Sequence, residues 1–308
     1  MIKRIVALAS LLLGGASLYA AAPRTFVSST GVDTNPCTRP QPCRSFTAAL
    51  AQTSPGGVIL ALDSAGYGPV TINQSVSVIV PEGVYAGITA TSGNGVTISG
   101  TAATDIVLLS GLTIEGAGTG DRGIEFFDAI QSLIVRNCSF SGFVAFGIDF
   151  FPTNSGASLY VGDTTFSGMD TGVSLYANSG VNAAAYIERC RAFGNTNFGY
   201  RFNNFKGTVS HSVAAGNSFA GIYGVDCQVT IDDCDFTNNA TGIICVGNGV
   251  MRVSNTTVTD NGTGLAINVG ILGGSILTRI DDATYAVKTN TVENNGTNGT
   301  FTGTFVAD

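Results

Sequence analysis

Leu133-Ile-Val135-Arg-Asn137-Cys138-Ser-Phe140, then a loop and Gly147-Ile-Asp149-Phe150, is matched one period later by Leu159-Tyr-Val161-Gly-Asp163-Thr164-Thr-Phe166 and Gly172-Val-Ser174-Leu175. The frame continues through Ile187-Glu-Arg189-Cys190-Arg-Ala192 with Gly199-Tyr-Arg201-Phe202, then Val209-Ser-His211-Ser212-Val-Ala214 with Gly221-Ile-Tyr223. Two further copies, at Ile231 to Cys245 and Val253 to Ile267, close the clear series, and Leu109 to Phe126 fits it upstream. Each copy holds three short stretches of period-two alternation joined by turns, and none contains a helix-length apolar stripe. Three strands of that length make one coil of a solenoid, and equivalent strands of successive coils pair in parallel about 4.8 Å apart. One coil alone buries little apolar surface, whereas stacked coils share a continuous core. The expected fold is therefore all-β: a right-handed, single-stranded parallel β-helix with coils of about 22 to 26 residues and a short N-terminal capping helix.

The alternation assigns columns. Asn137, Asp163, Arg189, His211, Asp233 and Asn255 share a bend, where Asn and Asp tolerate the left-handed conformation. Asn195, Asn217, Asn239 and Asn261 form a second polar column, spaced for side-chain ladders along the stack. Leu112, Cys138, Thr164, Cys190, Ser212, Cys234 and Thr256 point inward at one position. Cys138 and Cys190 are two coils apart, roughly 9.6 Å, too far for a disulfide, so this column reads as buried free thiols.

Composition fits a secreted protein. The chain has 308 residues, 44% hydrophobic and 11% charged, with 41 glycines and no tryptophan, and the apolar content excludes disorder. Lys3 and Arg4 followed by the apolar residues 5–13 and the small residues 16–22 read as a signal peptide, cleaved between Ala20 and Ala22. The apolar run is too short to span a bilayer. Loss of Lys3 and Arg4 takes the net charge from −7 to −9, which argues against nucleic acid. Export places the protein outside the cytoplasm, secreted or periplasmic in a bacterium. Cys37 and Cys43, in the loop Cys37-Thr-Arg-Pro-Gln-Pro-Cys43, are expected to form a disulfide there. Ser45 is placed to N-cap a short helix that carries Phe46, Ala49 and Leu50 across the N-terminal mouth. The organisation expected is a signal over 1–22, a cap over 23–57, the β-helix over 58–270, and a last partial coil with a C-terminal cap over 271–308. Phe301 and Phe305 are the candidate plugs.

The pattern Val/Ile-x-Asn/Asp-Cys/Thr-x-Phe, then Asn and Gly-Ile-x-Phe, resembles the β-helix repeats of the pectate-lyase-like superfamily. The opening Thr25-Phe-Val-Ser-Ser-Thr-Gly31, with Cys37, Pro42-Cys43-Arg44 and Ser45-Phe46, resembles bacterial secreted members of unassigned activity. The resemblance spans essentially the whole mature chain. It implies the fold, and a fold of this kind hosts lyases, hydrolases, esterases and adhesins alike.

The polygalacturonase-like signatures are absent. Only Asp232-Asp233 resembles a paired acid, there is no Gly-His-Gly, and Arg279-Ile280 is followed by Asp281. His211, the single histidine, sits in the bend column as a surface residue, and with no Cys-x-x-Cys a zinc site is not expected.

One constellation stands out. Two residues after each strand-opening glycine, the outward column runs Glu125, Asp149, Ser174, Arg201, Tyr223, Ile244, Ala266, and two positions on runs Phe127, Phe151, Tyr176, Asn203. Two carboxylates are thus expected on adjacent coils, roughly 5 Å apart, with Arg201 two coils on. Facing like charges and rows of exposed aromatics both cost stability or solubility, which marks them as candidates for function. Glu125, Asp149 and Arg201 are the candidate catalytic residues. Phe127, Phe151, Tyr176 and Tyr223 are candidates for stacking on sugars. The acid pair is open to sharing a proton, to holding Ca²⁺, or to acid–base work on a glycosidic bond. Against this stands the reading that the loops 153–158 and 177–184 fold over the face and bury it. Three functions follow: polysaccharide binding, a polysaccharide lyase or glycoside hydrolase, or a structural, adhesin-like module that meets a partner protein.

Overall fold

A computed structural model describes residues 21–267, 276–282 and 290–307. The signal segment up to residue 20 and the stretch Tyr285 to Thr289 lie outside the described residues, as does the Phe305 side chain. Three parallel sheets of twelve, ten and nine strands form the walls of a β-solenoid. One coil runs Ser132–Arg136, Ser139–Ser141 and Phe146–Phe150, contributing one strand to each wall in that order. The twelve-stranded wall opens with Ala22–Val27, inside the segment assigned to the cap, paired in parallel with Thr53–Ala61.

Successive coils stack in the expected register. Leu133 pairs with Leu159, Phe140 with Phe166 and Phe150 with Leu175. Inward side chains form continuous columns: Phe126 stacks on Phe150 with ring centroids 4.8 Å apart, and Phe140 on Phe166 at 5.1 Å. Each such ring removed from water contributes about 1.5–3 kcal/mol, which is how a fold without helix layers is held together.

The bend column takes the left-handed conformation throughout, with φ between 49° and 53° at Asn137, Asp163, Arg189, His211, Asp233 and Asn255. The buried asparagines form a ladder. Asn195 Nδ2 donates to Asn217 Oδ1 at 2.8 Å, Asn217 to Asn239 at 2.9 Å, Asn239 to Asn261 at 3.1 Å, and Asn261 to Asn295 at 2.9 Å. Each Oδ1 also accepts the backbone N–H of the previous rung, as Asn217 does from Asn195. A turn with unpaired amides at that depth would cost several kcal/mol, and the ladder satisfies it.

The thiol column is aligned and alternates with hydroxyls. The backbone N–H groups of Cys138, Cys190 and Cys234 donate to Thr164, Ser212 and Thr256 on the following coil. Burial raises Cys138 to about 11 and Cys190 and Cys234 to about 12, so all three remain thiols.

At the N-terminal mouth, Ser45 Oγ accepts from Ala48 N and caps the helix Phe46–Ala51, whose Phe46, Ala49 and Leu50 are buried across the first coils. Cys37 and Cys43 are disulfide-bonded, Cα to Cα 4.7 Å. Near the other end Thr291–Glu293 pairs with Thr257–Thr259, and Phe301 packs partly buried against the core.

Candidate functional site

The nine-stranded wall carries the constellation on its outer face. Within Arg122–Phe126 and Phe146–Phe150, the strand-opening glycine and the next residue are both buried, so the residues on either side of that pair both face outward. Glu125 is the register partner of Asp149, Asp149 of Ser174, and Ser174 of Arg201. The two carboxylates lie on one wall, one coil apart.

Arg122 links them. Its Nε donates to Asp149 Oδ2 at 2.8 Å, its Nη1 lies 3.5 Å from Glu125 Oε1, and it also contacts Asp121. Asn94 approaches from an earlier coil and donates from Nδ2 to Glu125 Oε2 at 2.7 Å. Burial desolvates the Asp149 carboxyl and pushes it above the usual aspartate range, with the Arg122 hydrogen bond opposing. A guanidinium already supplies the positive charge between the acids. Ca²⁺ needs six to eight oxygens, and among the described residues no group of three or more acids, histidines or cysteines is placed to hold a metal ion. The donor set therefore does not fit Ca²⁺, which corrects that option for the acid pair.

Arg201 stands differently. Among the described residues it has no ion-pair partner, its Nε is buried without a hydrogen-bond acceptor, and its guanidinium carbon lies 5.9 Å from the centre of the Phe198 ring.

Beside the ionic column runs a ladder of rings. Phe127 and Phe151 have centroids 4.3 Å apart, and Phe151 and Tyr176 4.8 Å. Phe127 is 63% exposed and Tyr176 40%, so no loop covers them. The loops at 153–158 and 177–184 bond to each other from coil to coil, as Gly156 N does to Asn182 O at 2.7 Å. Their closure over the face is not observed. Ionic column and ring ladder together line an open groove of about 370 Å³. Tyr223 lies outside it. It packs with Phe198, 4.9 Å between centroids, in a separate apolar cluster with Ile244 and Ala220.

A crystal structure of pectate lyase Pel9A superposes on this chain with a TM-score of 0.51 at 15% sequence identity, covering 92% of this chain and 78% of that one. In fold, the chain is a pectate-lyase-like parallel β-helix. A rhamnogalacturonan lyase aligns with a TM-score of 0.42 at 12% identity, over 83% of this chain and 74% of that chain. No protein-family model and no curated protein matches the sequence. At such identities the likeness speaks to the fold, and the chemistry rests on the groove itself.

Two residues that bond the acid pair escape a reading by strict alternation. Arg122 precedes the buried Gly-Ile pair, where the period of two breaks. Asn94 belongs to an irregular early coil. The column of Arg122, which runs Arg122, Phe146, Thr171, Phe198, carries no signal of its own: Thr171 and Phe198 are buried, and phenylalanine also fills the inward rows.

Proposed function

We propose that this chain is a secreted polysaccharide-binding protein whose glycan lies along the groove of the nine-stranded wall. The observation that carries the reading is the uncovered ring ladder Phe127–Phe151–Tyr176, in register beside a column of charged side chains. Aromatic faces at coil spacing give a sugar chain flat apolar platforms, and the adjoining carboxylates and guanidinia supply the hydrogen bonds that orient its hydroxyls. A solved structure similar in fold is a pectate lyase by name, which is in keeping with a carbohydrate ligand.

Arg201 favours an acidic sugar. Its charge acts on Asp149, but among the described residues it makes no ion pair, so its guanidinium is open to a charge-assisted hydrogen bond with a ligand carboxylate. The disulfide and the expected signal peptide agree with export. Isothermal titration of the mature protein with oligogalacturonate tests the reading. Binding that weakens in Phe127→Ala and in Arg201→Gln supports it, and absence of heat with a panel of acidic and neutral glycans refutes it.

A second reading, turnover by a lyase or hydrolase, draws on one feature: the raised Asp149 carboxyl beside Glu125. Bond cleavage that disappears in Asp149→Asn, with binding retained, distinguishes it from binding alone.

A further inference from the structure

The twelve-stranded wall carries a second groove, of about 350 Å³, lined by Tyr160, Tyr186, Ile187, Glu188, Thr208 and Ser210. It lies on a different sheet from the ionic groove, so the two are separate sites. Tyr160 and Tyr186 are register partners on adjacent coils, and Thr208 follows Tyr186 in the same outward column. Tyr186 is 51% exposed.

Tyr160 lies flat because its neighbour permits it. A Cβ on Gly162 would come within 2.7 Å of the Tyr160 hydroxyl and 2.9 Å of its ring, so only glycine lets the ring cross the strand there. The hydroxyl then donates to Glu188 Oε2 at 3.2 Å, which fixes the ring in place. A large exposed tyrosine beside a second one pinned by glycine and carboxylate is a costly way to build a plain surface.

The charges select the occupant. Glu188 contacts Arg189, and Arg189 in turn donates to both carboxylate oxygens of Asp163 at 2.7 and 2.9 Å. Arg189 is thus consumed by two acids, and the groove lining itself holds one carboxylate, Glu188, and no cation. An anionic ligand would meet Glu188 with no positive group in the lining, whereas the ionic groove is lined by Arg122 and Arg201. What remains available here is two ring faces, the Thr208 and Ser210 hydroxyls and the Glu188 carboxylate, a set that recognises sugar hydroxyls without a net charge.

We propose that this groove is a second glycan site, specific for an uncharged polysaccharide, with Tyr186 as its stacking platform. The site does not depend on the ionic groove for its ligand. A chain bearing both would tie an acidic polysaccharide on one wall to a neutral one on another.

Calorimetry with neutral gluco-, xylo- and manno-hexasaccharides tests the proposal on the full mature protein. The wild type should bind at least one of them, Tyr186→Ala should weaken that binding tenfold or more, and Tyr186→Phe should hold it within about threefold. Phe127→Ala, on the other wall, should leave it within twofold. Tyr186 is exposed, so its removal spares the core, and an unchanged thermal midpoint confirms the fold. The proposal is overturned if none of the three sugars binds at millimolar concentration, or if their binding follows Phe127 instead of Tyr186. Oligogalacturonate run in parallel reads the ionic groove separately, so failure of one site leaves a distinct signature from failure of the other.

Discussion

Arg122 holds Asp149 across one coil: its Nε donates to Oδ2 at 2.8 Å while its Nη1 stays 3.5 Å from Glu125 of its own strand. That contact makes an otherwise repulsive stack of two carboxylates tolerable on one wall. Arg201, two coils on, acts on Asp149 through its charge but makes no ion pair of its own among the described residues.

Removing the Arg122 guanidinium should push the Asp149 carboxyl further up, because burial and the Glu125 charge then act without their main opponent. The folded value lies above that of the unfolded chain, so the folded state holds the proton more tightly. That linkage favours folding fully below the unfolded value and is lost as pH rises through the folded one. Arg122→Gln should therefore be most destabilised at neutral pH and recover toward pH 4. Carboxyl ¹³C titration of Asp149 and urea midpoints at pH 4 and pH 7.5 check this, and an unmoved titration contradicts it.

Phe127→Ala and Tyr176→Ala should each weaken glycan binding about tenfold, or ~1.4 kcal/mol, with stability unchanged to within ~0.5 kcal/mol. Both rings are exposed, so the core does not depend on them. Calorimetry paired with thermal melting separates the two effects.

Asn217→Ala should cost about 3 kcal/mol. It removes the acceptor of both the backbone and the side-chain donor of Asn195, leaving those two buried N–H groups unpaired, and takes one of the two donors from Asn239 Oδ1, which keeps the residue 217 backbone N–H. The shift in urea midpoint measures it; a loss under ~1 kcal/mol would mean that the ladder is incidental.

Cys138, Cys190 and Cys234 should resist a thiol reagent in the native protein and react after unfolding, since burial raises each to about 11 or 12. Cys190→Ser should fold with a loss under ~1.5 kcal/mol, because Ser212 fills the same position on the next coil. Rapid labelling of native protein would contradict the column's burial.

The columns were legible because a fixed period turns sequence spacing into height along the stack. Glu125 over Asp149, Cys138 over Thr164 and the asparagine ladder all follow from that one rule. Arg122 was hidden by the paired burial of Gly123 and Ile124, which reverses the facing that strict alternation assigns. Loop length was visible at 153–158 and 177–184, but loop direction depended on bonds such as Gly156 to Asn182 that no periodicity encodes. Tyr223 shares a column with Glu125, yet its surroundings, Phe198 and Ile244, draw it into an apolar cluster beyond Arg201.

A crystal structure of the mature protein with a bound acidic hexasaccharide tests the central claim most directly. Sugar rings lying on Phe127, Phe151 and Tyr176, with one carboxylate against Arg201, are the predicted result. A saccharide seated on another wall, with the nine-stranded groove empty at saturating concentration, would contradict it.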